Sequence, residues 1–67
     1  MNKHEIEDLE LDAFLHVVHR RYGYDFHDYA RASIKRRIKN LATTSGYQYI
    51  SEMLPKVLYD ESFLNLF

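Results

Sequence analysis

Between residues 7 and 22 the apolar positions Leu11, Phe14, Leu15, Val18 and Tyr22 recur at steps of three and four, the period of a helix that turns one face to a core. Acids stand in and before the first turn of this segment and Arg20 and Arg21 in its last, as the helix dipole favours. Gly23 is a natural stop. After a short connection, Tyr24-Asp25-Phe26-His27-Asp28, a second segment over residues 29–43 places Ala30, Ile34, Ile38 and Leu41 within about 80° of arc. Asp25 or Asp28 is expected to cap it, and Phe26 to tuck inward. Thr43-Thr44-Ser45-Gly46 takes the chain out of the helix. Tyr49, Ile50, Met53 and Leu54 then predict a short third helix that Pro55 ends or kinks, and Asp60 caps the opening of a fourth over residues 61–67. No strand pattern and no repeat is present. The expectation is an all-α fold, a small bundle of three to four short helices, forming one domain over residues 1–67.

A chain of 67 residues supports one core and no large catalytic cleft. Its 46% apolar and 28% charged residues are the balance of a globular chain. There is no cysteine, which excludes disulfides and thiolate metal sites. No run nears the roughly 20 apolar residues needed to span a bilayer, and the acid-rich start lacks the features of a signal peptide, so a cytoplasmic location and no membrane insertion are expected. The last residues, Phe63-Leu64-Asn65-Leu66-Phe67, are apolar and carry no cap, which predicts that a longer protein continues beyond them.

Net charge is only -1, but its distribution is uneven. Glu5, Glu7, Asp8, Glu10 and Asp12 crowd the start, whereas Arg31, Lys35, Arg36, Arg37 and Lys39 fall within nine residues that contain no acid. On a helical wheel with Ile34 at the origin, Arg31, Lys35, Lys39 and Arg36 stand at about 60°, 100°, 140° and 200°. They form one flank. Arg31, Lys35 and Lys39 follow each other at steps of four, where like charges repel by a few tenths of a kcal/mol per pair. A solvated helix face is the plain explanation of such a stripe; a docking surface for an anionic partner is the functional one. Arg37, at about -60°, lies on the other flank, with its stem expected to pack and its guanidinium to pair with Asp25 or Asp28.

Catalytic and metal chemistry find little support. His16 and His19 lie three apart without a cysteine or a well-spaced carboxylate to complete a metal site, and His4 and His27 suit surface or capping roles. Tyr24 and Tyr29, beside the basic helix, could stack on a partner, although most of the six tyrosines suit core or rim. Neither a glycine-rich phosphate loop nor a nucleophile set is present. No catalytic, cofactor-binding or metal residue is assigned.

The run Arg21-Tyr22-Gly23-Tyr24-Asp25-Phe26, then Tyr29-Ala30-Arg31-Ala32-Ser33 and Arg36-Arg37-Ile38, resembles the N-terminal domain of CheR-type protein-glutamate methyltransferases. Leu54-Pro55-Lys56-Val57-Leu58-Tyr59-Asp60-Glu61-Ser62-Phe63 is similar to the stretch that leads into that family's catalytic domain. The resemblance covers nearly all of the chain after about Leu9. It implies an all-α recognition domain of a parent enzyme that uses S-adenosylmethionine and methylates glutamates on chemoreceptor helices in chemotaxis signal transduction, the fragment itself being inactive and holding no cofactor. It also implies that the basic second helix faces the receptor's methylation region. Arg31, Arg36 and Arg37 match the family's cationic helix best, with Lys35 and Lys39 as additions. The expected partners are chemoreceptor methylation helices or another acidic helical protein, and the parent's own catalytic domain. Two rivals remain: a small nucleic-acid-binding domain, opposed by the net charge and the acidic start, and a structural cap on a neighbouring domain.

Overall fold

A computed structural model of the chain describes residues 1–66, and the order of elements is α1 (Lys3–Tyr22), α2 (Arg31–Thr44), a 3₁₀ turn (Ile50–Met53), α3 (Leu54–Tyr59) and a second 3₁₀ segment (Glu61–Leu66). No strand occurs among the described residues, and the fold is the expected small all-α bundle. The expectation that a longer protein continues past Phe67 lies outside the described residues.

α1 starts earlier than its apolar period suggests, because Asn2 caps it: the Asn2 side chain accepts a 2.9 Å hydrogen bond from the Glu5 N–H, satisfying one of the free donors of the first turn. It ends at Gly23, whose φ of 81° is open to glycine at little cost. The Gly23 N–H closes the last turn on the His19 carbonyl. α2 begins without a side-chain cap, at Ala30. Here the structure corrects the expectation that Asp25 or Asp28 caps it. Asp25 instead accepts from the His27 N–H at 3.0 Å, a turn closed within the connection itself, and both acids converge on the His27 ring, at 3.0 and 3.1 Å.

Pro55 also plays a different part from the one expected. It stands in the first turn of α3, where a missing N–H leaves no hydrogen bond unmade, so it starts a helix rather than ending one. The turn before it is 3₁₀, and its entry is held by Glu52, whose carboxylate accepts from the N–H groups of Gln48 and Tyr49. Asp60 opens the final segment as expected, accepting from the Ser62 N–H and hydroxyl.

One core unites the elements. Leu11, Phe14 and Val18 of α1 meet Ile34, Ile38, Leu41 and Ala42 of α2, with Ile50, Met53, Val57 and Phe63 from the C-terminal third. Phe26 is half-buried against this cluster, as expected. The short α3 is fastened from outside: the Tyr22 hydroxyl donates to the Val57 carbonyl and the Arg21 guanidinium to the Leu58 carbonyl, two acceptors that the end of α3 leaves without helical partners.

Candidate partner-docking surface

Because Ile34 and Ile38 anchor the opposite face of α2 in the core, the 3.6-residue period turns Arg31, Lys35, Arg36 and Lys39 toward the surface. Arg31, Arg36, Arg37 and Lys39 are exposed and Lys35 is half-buried. The flank therefore lies at the surface, but the expectation that its cations stand open to an acidic partner is corrected for three of them, which are tied up with carboxylates of α1. Arg31 pairs with Asp12 at 2.8 Å, Lys35 with Asp8 at 3.1 Å, and Lys39 with Glu7 at 2.7 Å. The N-terminal acids and the basic ridge, read from the sequence as separate regions, face each other.

The register is regular. Asp8 and Asp12, four apart on α1, oppose Lys35 and Arg31, four apart on α2, and Glu7 with Lys39 continues the series in the same antiparallel sense. Side chains four apart lie on one ridge of a helix, so Asp8 and Asp12 match Lys35 and Arg31 in pitch, whereas Glu7, next to Asp8, reaches Lys39 from a neighbouring position on α1. A hydrogen bond from Lys39 holds the Glu7 carboxyl below its ordinary pKa, and one from Lys35 does the same for Asp8, each against a smaller opposing effect of desolvation. The Lys35 side chain keeps 22% of its surface and Glu7 13%, while Arg31, Lys39, Asp8 and Asp12 remain about half-exposed.

Arg36 differs. Its guanidinium makes no ion pair or hydrogen bond among the described residues, and with Ala32, Lys35 and Lys39 it lines a shallow surface depression. Arg37 is exposed and engaged in an interaction of its own. Beside Arg31 opens a second hollow, a cleft of about 420 Å³ bordered by Tyr24, Phe26, His27 and Tyr29. Tyr24 and Tyr29 are each 55% exposed, and Tyr29 packs edge-on against Phe26, with ring centroids 5.4 Å apart. An aromatic rim thus continues the cationic ridge.

Sequence reasoning missed the role of Glu10. Its carboxylate accepts from both the N–H and the hydroxyl of Ser51, so an acid of α1 caps the first 3₁₀ turn. No local signal marks a contact across 41 residues. No group of three His, Asp or Glu side chains gathers among the described residues to hold a metal, and none of their helices is long and apolar enough to cross a membrane.

Residues 9–67 match the family model described as the all-alpha domain of CheR methyltransferase. A curated relative from Pseudomonas putida, Cher3, whose name assigns it to the methyltransferases, is 34% identical over 53 residues, which are 79% of this chain and 19% of that protein. The chain thus spans about a fifth of that relative's length. No solved structure matches it.

Proposed function

Since the chain belongs to the CheR methyltransferase family, as its all-alpha domain, we propose that it is the docking module of a CheR-type enzyme, a protein-glutamate methyltransferase dependent on S-adenosylmethionine in chemotaxis signal transduction. The module holds an acidic helix of a chemoreceptor, or of another acidic helical protein, while the parent's catalytic domain modifies it in the cytoplasm. The observation that carries this reading is the exposed cationic flank of α2, in which Arg36 has no ion-pair partner among the described residues; the pairs of Lys35 and Arg31 with Asp8 and Asp12 fit carboxylates one helical turn apart, and a partner's acids have to displace them. A receptor helix bearing glutamates offers the same spacing, and a matched set of charges fixes register and speeds encounter. Arg36, with no ion-pair partner among the described residues, supplies a further charge, and Tyr24 and Tyr29 supply flat surfaces at the end of the ridge. Methylation converts a glutamate to a neutral ester, so product is held less tightly than substrate.

The chemistry belongs to the rest of the parent. Both glycines, Gly23 and Gly46, have positive φ at the ends of helices, and no glycine-rich turn among the described residues could cradle an adenosyl group. No step is therefore assigned to this chain. Leu58, Tyr59 and Leu66 in the C-terminal third are 39%, 86% and 66% exposed, apolar side chains that contact with the parent's catalytic domain would cover. Nucleic acid fits less well, because a net charge of -1 gives no overall attraction for a phosphate backbone.

Charge reversal at Arg36 tests the proposal without disturbing an ion pair. In the full-length parent, Arg36→Glu raises KM for the receptor several-fold and leaves cofactor affinity unchanged. Unaltered methyl transfer at low receptor concentration would overturn the docking role and favour a structural cap. Tight, strongly salt-dependent binding of duplex DNA would instead favour the nucleic-acid reading.

A further inference from the structure

The first two turns of α1 are held differently from the rest of the helix. No residue of α1 before Leu11 is buried, and Ile6 and Leu9 are 46% and 54% exposed. Apart from Glu10, which accepts from Ser51, the polar tertiary contacts of this stretch are the ion pairs of Glu7 with Lys39 and Asp8 with Lys35, joined by the long contact from Arg31 to the Asp8 carbonyl. Helical turns without apolar packing are marginal in water, and ion pairs at a surface add little to their stability. Asp12, by contrast, follows Leu11, the first core residue of α1. The family match begins at residue 9, so Glu7 and Asp8 fall outside the matched domain while the lysines they cover fall inside it.

We propose that residues 3–8 form a displaceable acidic strap that covers Lys35 and Lys39 and must yield before an acidic partner helix can occupy them. The inference rests on the docking reading and assigns the regulation of that surface. Being tethered, the strap competes at high effective concentration, and it lowers apparent affinity by the fraction of molecules in which it is closed. A lone carboxylate displaces it poorly; a helix presenting several acids at steps of four displaces it well. Selection for clustered acids follows from this, as does release: once a partner's glutamates are neutral esters, the strap outcompetes them and closes again.

The probe is a synthetic helical peptide carrying glutamates at steps of four, compared with the same peptide carrying glutamines. NMR titration of the 67-residue chain with the glutamate peptide shifts the signals of Lys35 and Lys39 and, in parallel, removes the helical shifts of residues 3–8. Neutralising the strap with Glu7→Gln and Asp8→Asn raises affinity for the glutamate peptide several-fold; far-UV circular dichroism checks that the variant remains folded. If the wild-type chain binds while residues 3–8 stay helical, or if both chains bind equally, the strap is overturned and the docking surface stands. Failure of both chains to bind the glutamate peptide overturns the docking reading, and the strap falls with it.

Discussion

The hydroxyl of Tyr22 donates a 2.6 Å hydrogen bond to the carbonyl of Val57, joining the last turn of α1 to the end of α3. α3 has six residues, too few to persist on its own helical propensity, and the cationic Arg21 beside Tyr22 meets the partial negative charge at its C-terminus. Tyr22→Phe removes the hydrogen bond and keeps the ring. It is expected to cost about 1 kcal/mol, seen as a fall in Tm of about 4–8 °C for a domain of this size.

Phe14 is 1% exposed at the centre of the core. Phe14→Ala should cost about 3–5 kcal/mol, comparable with the whole stability expected of so short a chain, roughly 3–10 kcal/mol. Urea denaturation followed by circular dichroism should find the variant largely unfolded or with a sharply lowered midpoint.

Glu10 reaches across to Ser51 and caps the first 3₁₀ turn. Glu10→Ala leaves the Ser51 N–H to water and should destabilise the domain by about 1 kcal/mol, the usual cost of a lost cap. Hydrogen exchange would locate the effect: the Ser51 amide exchanges faster, while amides in the middle of α2 change only as the global stability does.

Acid should weaken the domain in a defined window. Glu7, Asp8, Asp25 and Asp60 all have carboxyl pKa values lowered in the folded state, chiefly by hydrogen bonds from Lys39, Lys35, His27 and Ser62 respectively. As pH falls through the ordinary values of 4.5 for Glu and 3.8 for Asp, the unfolded chain takes up protons before the folded one does. The stabilisation these groups give is complete above that range and is lost as pH drops through their lowered folded values. Unfolding free energies from urea titrations should therefore be steady near neutrality and decline below about pH 4.5, and the Glu7→Gln, Asp8→Asn variant should decline less.

α1 and α2 were legible in the sequence because each carries a long apolar period and α1 ends on a glycine. The C-terminal third was not. Pro55 is compatible with either the end or the start of a helix, and the choice depends on contacts such as those of Tyr22 and Arg21, which lie 35 and 37 residues away from their acceptors. The cap of α2 was misjudged for a local reason: Asp25 and Asp28 had His27 between them, and satisfied it instead. At the docking surface, residue types and the shared flank could be read directly. That Lys35 would meet Asp8 could not, since a pairing across 27 residues requires knowing how two helices cross.

No side chain ahead of Leu11 is buried in the core. Substitutions at Glu7 and Asp8 can therefore change how much charge shields the ridge while leaving the packed interior alone. Partner preference in such a domain can drift, or be engineered, at positions where folding exerts little restraint.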